Sequence, residues 1–318
     1  MAGNTFTFTE RCCPFCSSST SKKLFNLSAS DFCWSNWTYS EQYHTILQIN
    51  SGKRFPIVRC VSCGFIYAAL LPNEEFLSTL YNEVIDTKLA EQASLQIDDY
   101  VRRLRYIGTL MQLNADKPSR ILDFGAGFGM SSRIIGLTGL EVVAYDSSAT
   151  RQEHQVASSL QSCRNWSEVI QAGPYTAIIC DNVLEHLADV HSTLQLFTEI
   201  VEKEAIIYVS VPAYEQPVIE QLQKDFAAGI VADTSLNPWE HVNYFDLYHL
   251  DAFLQEHGFQ ALKTCELPGA VDVGLRPEPA FLARCKNGLA SIQRVLGYMA
   301  QGTVLDSVNS RFYRLAEK

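Results

Sequence analysis

ILDFGAGFGMSSRIIGLTGLEVVAYDSS, residues Ile121–Ser148, reads as a strand, a glycine-rich turn, a helix and a second strand that ends in an acid. Ile121, Leu122 and Phe124 make a short apolar run of the kind buried on both faces of a parallel sheet. Gly125, Gly127 and Gly129 follow at alternate positions, each removing a Cβ where backbone must turn sharply or come close to a ligand. The free N–H groups of the next helix aim at the same point. The second strand, Val142 to Tyr145, ends at Asp146, which can accept hydrogen bonds from a ribose diol. This order predicts an adenosine-type cofactor site on a doubly wound α/β sheet.

Working outward, the 318 residues suffice for one large domain with an appendage or for two domains. A hydrophobic share of 47% with 19% charged residues suits a globular chain with a sizeable core. No run of 18 apolar residues is present, so no membrane span is expected. The start, MAGNTFTFTE, lacks the basic and apolar regions of a secretory signal, and a cytoplasmic location is the expectation. The net charge of −10 gives no overall attraction to nucleic acid. Residues 1–72 nevertheless hold six Lys/Arg against three Asp/Glu, a mildly basic segment on an acidic body.

Six of the ten cysteines lie within the first 63 residues. Cys13-Pro-Phe-Cys16 and Cys60-Val-Ser-Cys63 form two CxxC knuckles, and four thiolates in two such pairs match a tetrahedral structural zinc site. Cys12 could replace Cys13 only through a wider CxxxC pair. With all four positions filled by thiolate, the ion would serve folding rather than chemistry. Between the knuckles, Phe32, Trp34, Trp37, Tyr39 and Tyr43 either fill a thin core or wall a substrate pocket. Cys163, Cys180, Cys265 and Cys285 stand in apolar runs as buried thiols.

Leu71-Pro72-Asn73-Glu74-Glu75 reads as a domain exit into a helix capped by Asn73. A second helix is expected from about Asp98 to Asn114, and the pair caps the pocket. Beyond Asp146 the α/β alternation continues, with strands at Leu160–Cys163, Tyr175–Cys180 and Ala205–Val211, and one helix from Val183 to Ile200. The polar stretch Ala213–Glu240 reads as a lid. Phe259–Cys265 and Phe281–Cys285 read as the two closing strands, and the segment from Asn287 as helical. The expected domains are a zinc-binding module (1–72), a helical cap (73–117), a cofactor domain (118–286) and a helical extension (287–318).

The glycine spacing is GxGxG rather than the GxGxxG of a nicotinamide site, and Asp123 stands two residues before the first glycine. Asp123-Phe-Gly125-Ala-Gly127-Phe-Gly129 resembles the D/E-x-G-x-G-x-G motif of class I S-adenosylmethionine (SAM) methyltransferases. The resemblance continues through IICDNVLEHLADV, the paired knuckles, CxxCGFIY and EHVNYFDLYHLDAFLQEHGF, and so covers roughly residues 11 to 285. It points to the members that carry an N-terminal cysteine-rich zinc module, among them sugar C-methyltransferases.

That resemblance implies a Rossmann-like seven-stranded α/β sheet, with SAM and Zn²⁺ as cofactors. Cofactor contacts would come from Asp123, Gly125, Gly127, Gly129, Asp146, Asp181 and Asn182, and zinc ligands from Cys13, Cys16, Cys60 and Cys63. His241 of the Glu240-His241 pair would act as base, with His186 second. Read from the residues alone, Tyr81 and Trp239 either line the acceptor pocket or serve as core aromatics. Pro238 stands where these relatives usually have tyrosine, so the acceptor is read as a small or carrier-bound molecule methylated on oxygen or carbon. A SAM binder without transfer activity, or another chemistry on the same fold, is the alternative. Nothing in the sequence sets an oligomeric state.

Overall fold

In the computed structural model the described residues are 6–28, 31, 52–85, 87–115, 119–229, 236–263, 266–267 and 308–316. The elements run β1 (Phe8–Glu10), β2 (Ser21–Leu27), β3 (Phe55–Cys60), β4 (Ile66–Ala68), β5 (Leu70–Pro72), α1 (Glu74–Thr79), a π-helical turn (Leu80–Val84), α2 (Thr87–Ser94) and α3 (Ile97–Leu113). Then follow β6 (Arg120–Phe124), α4 (Met130–Leu137), β7 (Glu141–Tyr145), α5 (Ala149–Ala157), β8 (Ser162–Cys163), α6 (Trp166–Ala172) and β9 (Tyr175–Asp181). The chain continues through a 3₁₀ turn (Leu184–His186), α7 (Val190–Ile200), β10 (Val201–Pro212), α8 (Gln216–Ala227), β11 (Asn243–Tyr244), α9 (Leu247–Glu256), β12 (Phe259–Ala261) and β13 (Val308–Leu315).

The main sheet has seven strands in the order β12-β13-β10-β9-β6-β7-β8, the Rossmann-like sheet expected from the sequence. Strands β10, β9, β6, β7 and β8 are parallel, and β13 enters antiparallel between β10 and β12. Six of the seven residues of β9 are buried, which is why YTAIIC carries no polar alternation. One face of the sheet packs Leu122, Ile178 and Val209 against Leu194, Phe197 and Phe253. The other packs Ile121, Ile179 and Tyr208 against Tyr106, Leu110 and Ile135. Chain order reverses between β6 and β9, which opens a crevice beyond the carboxyl ends of the strands.

The N-terminal strands build a second sheet, β11-β4-β3-β2. Its fourth strand comes from far along the chain: Asn243 and Tyr244 pair with Tyr67 and Ile66. Among the described residues, no helix is long and apolar enough to cross a membrane.

Two expectations are corrected, and one lies outside the described residues. The last strand is Val308–Leu315, not part of a helical extension over 287–318. Antiparallel pairing with β10 and β12 overrides local propensity there, burying Tyr313 completely and tying its hydroxyl to Asp251 at 2.8 Å. The expected strand Phe281–Cys285 lies outside the described residues. The expected helix Val183–Ile200 is broken after His186, because Asp189 caps a fresh helix by accepting from the Ser192 N–H at 2.9 Å. The stretch 213–240 holds α8, and Trp239 is fully buried against Phe55 rather than lining a pocket.

Candidate active site and thiol cluster

The glycine turn follows β6 directly. The N–H groups of Gly125 and Ala126 donate to the Tyr145 carbonyl at 2.8 and 2.9 Å, which ties the turn to the end of β7. Gly125 has φ +73°, and a Cβ there would lie 2.3 Å from Val183. Gly127 has φ +56° and no atom within 4 Å of the position a Cβ would take. The first glycine is therefore required by close packing, whereas the second borders open space at the crevice. Gly129 caps α4.

Asp146 stands at the end of β7 with 3% exposure. It accepts from the N–H of Gly127 at 2.9 Å and of Ser148 at 2.9 Å, and Arg151 lies 3.4 Å away. Two carboxylate oxygens offer about four acceptor sites, so capacity remains for one hydroxyl of a diol, and for both if Arg151 swings aside. Asp123 is buried at the end of β6 and accepts from the Ser132 hydroxyl at 2.6 Å. Burial pushes its carboxyl up to about 6, against the pull of Ser132. A cation brought next to Asp123 would be favoured, as the ammonium of a methionyl group would be.

Asp181 ends β9 and pairs with Arg102 of α3 at 2.6 Å, with the Tyr106 hydroxyl 3.3 Å away. Burial works against the Arg102 charge, but Asp181 outweighs it and raises the guanidinium pKa. Asn182 has φ +55°, donates its N–H to the Ser210 carbonyl at 2.8 Å, and leaves its buried Oδ1 without a hydrogen-bond partner. Ser210 Oγ is likewise unmatched. Orphaned acceptors, open space at Gly127 and three acids around one crevice fit a cofactor that carries ammonium, sulfonium and ribose hydroxyls.

Across the crevice lie the histidines. The His186 Nδ1 is 3.0 Å from the Glu240 carbonyl and 3.2 Å from the Tyr81 hydroxyl. Because a carbonyl only accepts, that nitrogen carries the proton and Nε2 keeps its lone pair. The His186 and His241 rings meet edge to face at 4.7 Å. Burial, then the neighbouring His241, hold the His186 imidazole well below its usual range. Glu185 is fully buried, and burial pushes its carboxyl up to about 8. The carboxylate of Glu240 accepts from the Asn237 side-chain amide at 2.7 Å.

The two halves are in contact. Asp146 meets Arg151, the Arg151 guanidinium lies 5.2 Å from the Tyr81 ring centroid, and the Tyr81 hydroxyl reaches His186. Asn82, on the same π-helical turn, accepts from Ser148 at 2.8 Å. Sequence reasoning picked out Tyr81 but missed Arg102, Arg151 and Glu185. Only Glu185 carried a signal, as the acid beside His186 in DNVLEH.

The thiols of Cys13, Cys16, Cys60 and Cys63 lie within 4.8 Å of one another. The Cys13–Cys63 and Cys16–Cys60 sulfur pairs are 3.6 and 3.5 Å apart. Sulfurs bound tetrahedrally at about 2.3 Å would stand about 3.8 Å apart, so the four fit a zinc ion with little movement. Cys12 is exposed and outside the group. The aromatic segment 32–43 lies outside the described residues.

Among solved structures, a putative sarcosine dimethylglycine methyltransferase from Galdieria sulphuraria is similar at 14% identity, covering 71% of this chain and 88% of that one, with a TM-score of 0.40. A SAM-dependent methyltransferase from Archaeoglobus fulgidus is similar at 13% identity, covering 76% and 100%, with a TM-score of 0.41. Magnesium protoporphyrin IX methyltransferase from Synechocystis PCC 6803, solved with bound SAH, is similar at 14% identity, covering 60% and 91%, with a TM-score of 0.44. No curated protein matches the chain. A family model described as a methyltransferase domain matches residues 89–264, more than half of the sequence. The chain belongs to that methyltransferase family and is a SAM-dependent methyltransferase.

Proposed function

We propose that the protein transfers a methyl group to an oxygen or carbon atom of a small-molecule or carrier-bound acceptor, with no nucleic acid involved, in the cytoplasm. SAM supplies an electrophilic methyl group on a sulfonium that needs no activation as a leaving group. The chain's own task is to position, desolvate and deprotonate the acceptor. Asp146 holds the ribose hydroxyls, and the Gly125–Gly129 turn lies against the methionyl end. Asp123, Asp181 and Asn182 surround the methionyl end.

His241 takes the acceptor proton. His186 packs against it, fixed in one tautomer by the Glu240 carbonyl, and is the second choice for base. Glu240 contributes through that carbonyl, and Tyr81 closes the wall. The observation that carries this reading is the run of contacts from Asp146 through Arg151 and Tyr81 to His186 and His241, which sets a proton acceptor beside the cofactor crevice. Cys13, Cys16, Cys60 and Cys63 hold a structural zinc ion, a cluster suited to a reducing compartment.

The test is methyl-label transfer with His241→Gln. Loss of a general base lowers turnover by about 10²-fold or more, while calorimetry should show SAM bound as tightly as before. Undiminished turnover would remove His241 from the reaction.

A further inference from the structure

Among the described residues, one other group of metal-ligating side chains converges besides the four thiols: Glu185, His186 and His241, with ligand atoms all within 4.8 Å of one another. Glu185 is 0% exposed, and neither of its oxygens has a hydrogen-bond partner. A buried carboxyl in that state keeps its proton, and a divalent cation placed beside it would take the proton's place. His186 already has the arrangement of a metal ligand. Its Nδ1–H donates to the Glu240 carbonyl, which fixes the ring and leaves Nε2 bare. That Nε2 stands 3.8 Å from Glu185 Oε1. Ligand atoms around one ion at about 2.1 Å lie roughly 3.4 Å apart, so a small side-chain rotation closes the set. Two imidazoles and one carboxylate suit divalent zinc, cobalt or nickel and leave coordination positions open.

We propose that Glu185, His186 and His241 form a second metal site, distinct from the thiol cluster, that takes a divalent transition ion. Its occupancy consumes the lone pairs that proton abstraction requires, so the loaded enzyme transfers methyl groups slowly. The binding claim stands on geometry alone; the inhibition claim rests on the reading of His241 as base.

The experiment uses tag-free full-length protein carrying its zinc, equilibrated with Ni²⁺ and freed of excess. Metal content is measured by mass spectrometry for the wild type, Glu185→Gln and His241→Ala. The expected result is one zinc and one nickel per wild-type chain, with nickel at least tenfold lower in both variants and zinc and circular dichroism unchanged. Nickel should also slow wild-type transfer at least tenfold, reversed by washing with free histidine. No nickel in the wild type, or nickel retained in both variants, overturns the site, and His241→Gln kinetics then judge the base on their own. Nickel bound at the site without slowing transfer overturns the inhibition claim and the base reading together, while the site stands.

Discussion

Replacing Asp123 by asparagine should stabilise the cofactor-free protein and weaken SAM binding. The carboxyl is buried and its pKa is pushed up to about 6 from an ordinary 3.8. Each unit is worth about 1.4 kcal/mol, so the ionised group costs the fold about 3 kcal/mol at neutral pH. The sign follows from proton binding: the folded state holds the proton more tightly than the unfolded one, so stability falls as pH rises from about 4 to 6 and then levels off. About half of the penalty is present at pH 5, so the advantage of Asp123→Asn should widen by roughly 1.5 kcal/mol between pH 5 and 7.5. Asparagine can still accept from Ser132, although its amide hydrogens offset about 1 kcal/mol of the gain. Urea unfolding at the two pH values, without SAM, measures the difference. With saturating SAM the order should reverse, because the methionyl ammonium compensates the wild-type carboxylate. A gap that does not change with pH would refute the electrostatic argument. Unchanged SAM affinity by calorimetry would take Asp123 out of the cofactor site.

Gly127→Ala places a methyl group in open space at a left-handed position, so it should cost about 1–2 kcal/mol of apo stability and weaken SAM at least tenfold; normal SAM affinity would show that the cofactor does not approach this turn. Arg102→Leu leaves Asp181 unpaired and should destabilise by about 3–5 kcal/mol, with much of the loss recovered when Asp181→Asn is added; strictly additive losses in urea unfolding would mean that the pair is uncoupled. Chelation, or Cys60→Ser, should release about one zinc per chain, expose the amides of β2 and β3 to hydrogen exchange, and lower kcat more than SAM affinity. Retained exchange protection after complete zinc loss would show that the ion does not hold the sheet.

The convergence of the glycine turn and Asp146 on one crevice was legible because its requirements are local. Gly125, Gly127 and Asp146 act within one strand–turn–helix–strand unit, and the spacing of the glycines states the turn. The paired knuckles were legible because each CxxC turn is local, and the fold then brings Cys13 against Cys63 and Cys16 against Cys60. What failed depended on partners distant in sequence. Val308–Leu315 contains two arginines and no strict alternation, and only the slot between β10 and β12 makes it a strand. Trp239 could be read as pocket or core from the sequence, and only its packing among residues distant in sequence, such as Phe55, decides for the core. Arg102 was one of several cations on an amphipathic helix, and nothing local marked it as the partner of Asp181.

The two Glu-His pairs, distant in sequence, are joined by backbone, and the same backbone ties them to the thiol-bearing sheet. The Val242 N–H donates to the Glu185 carbonyl at 2.8 Å, and the Asn243 side chain donates to the Leu184 and Leu187 carbonyls at 2.9 and 2.7 Å. The residues directly after His241 are thus stitched to the turn that carries His186. On their other side they belong to the thiol-bearing sheet. Asn243 and Tyr244 pair with β4, the Ala68 N–H donates to the Val242 carbonyl at 2.9 Å, and the Arg11 guanidinium bonds the same carbonyl. Strands β3 and β4 are joined through Cys60 and Cys63, and the Cys63 carbonyl lies 3.1 Å from His249 Nε2 on α9. An ion that fixes the knuckles therefore fixes β4, β4 fixes β11, and β11 sets where His241 stands against His186. These links reach Asp146 only through His186, Tyr81 and Arg151, so disturbing the thiols should displace the base more than the cofactor crevice.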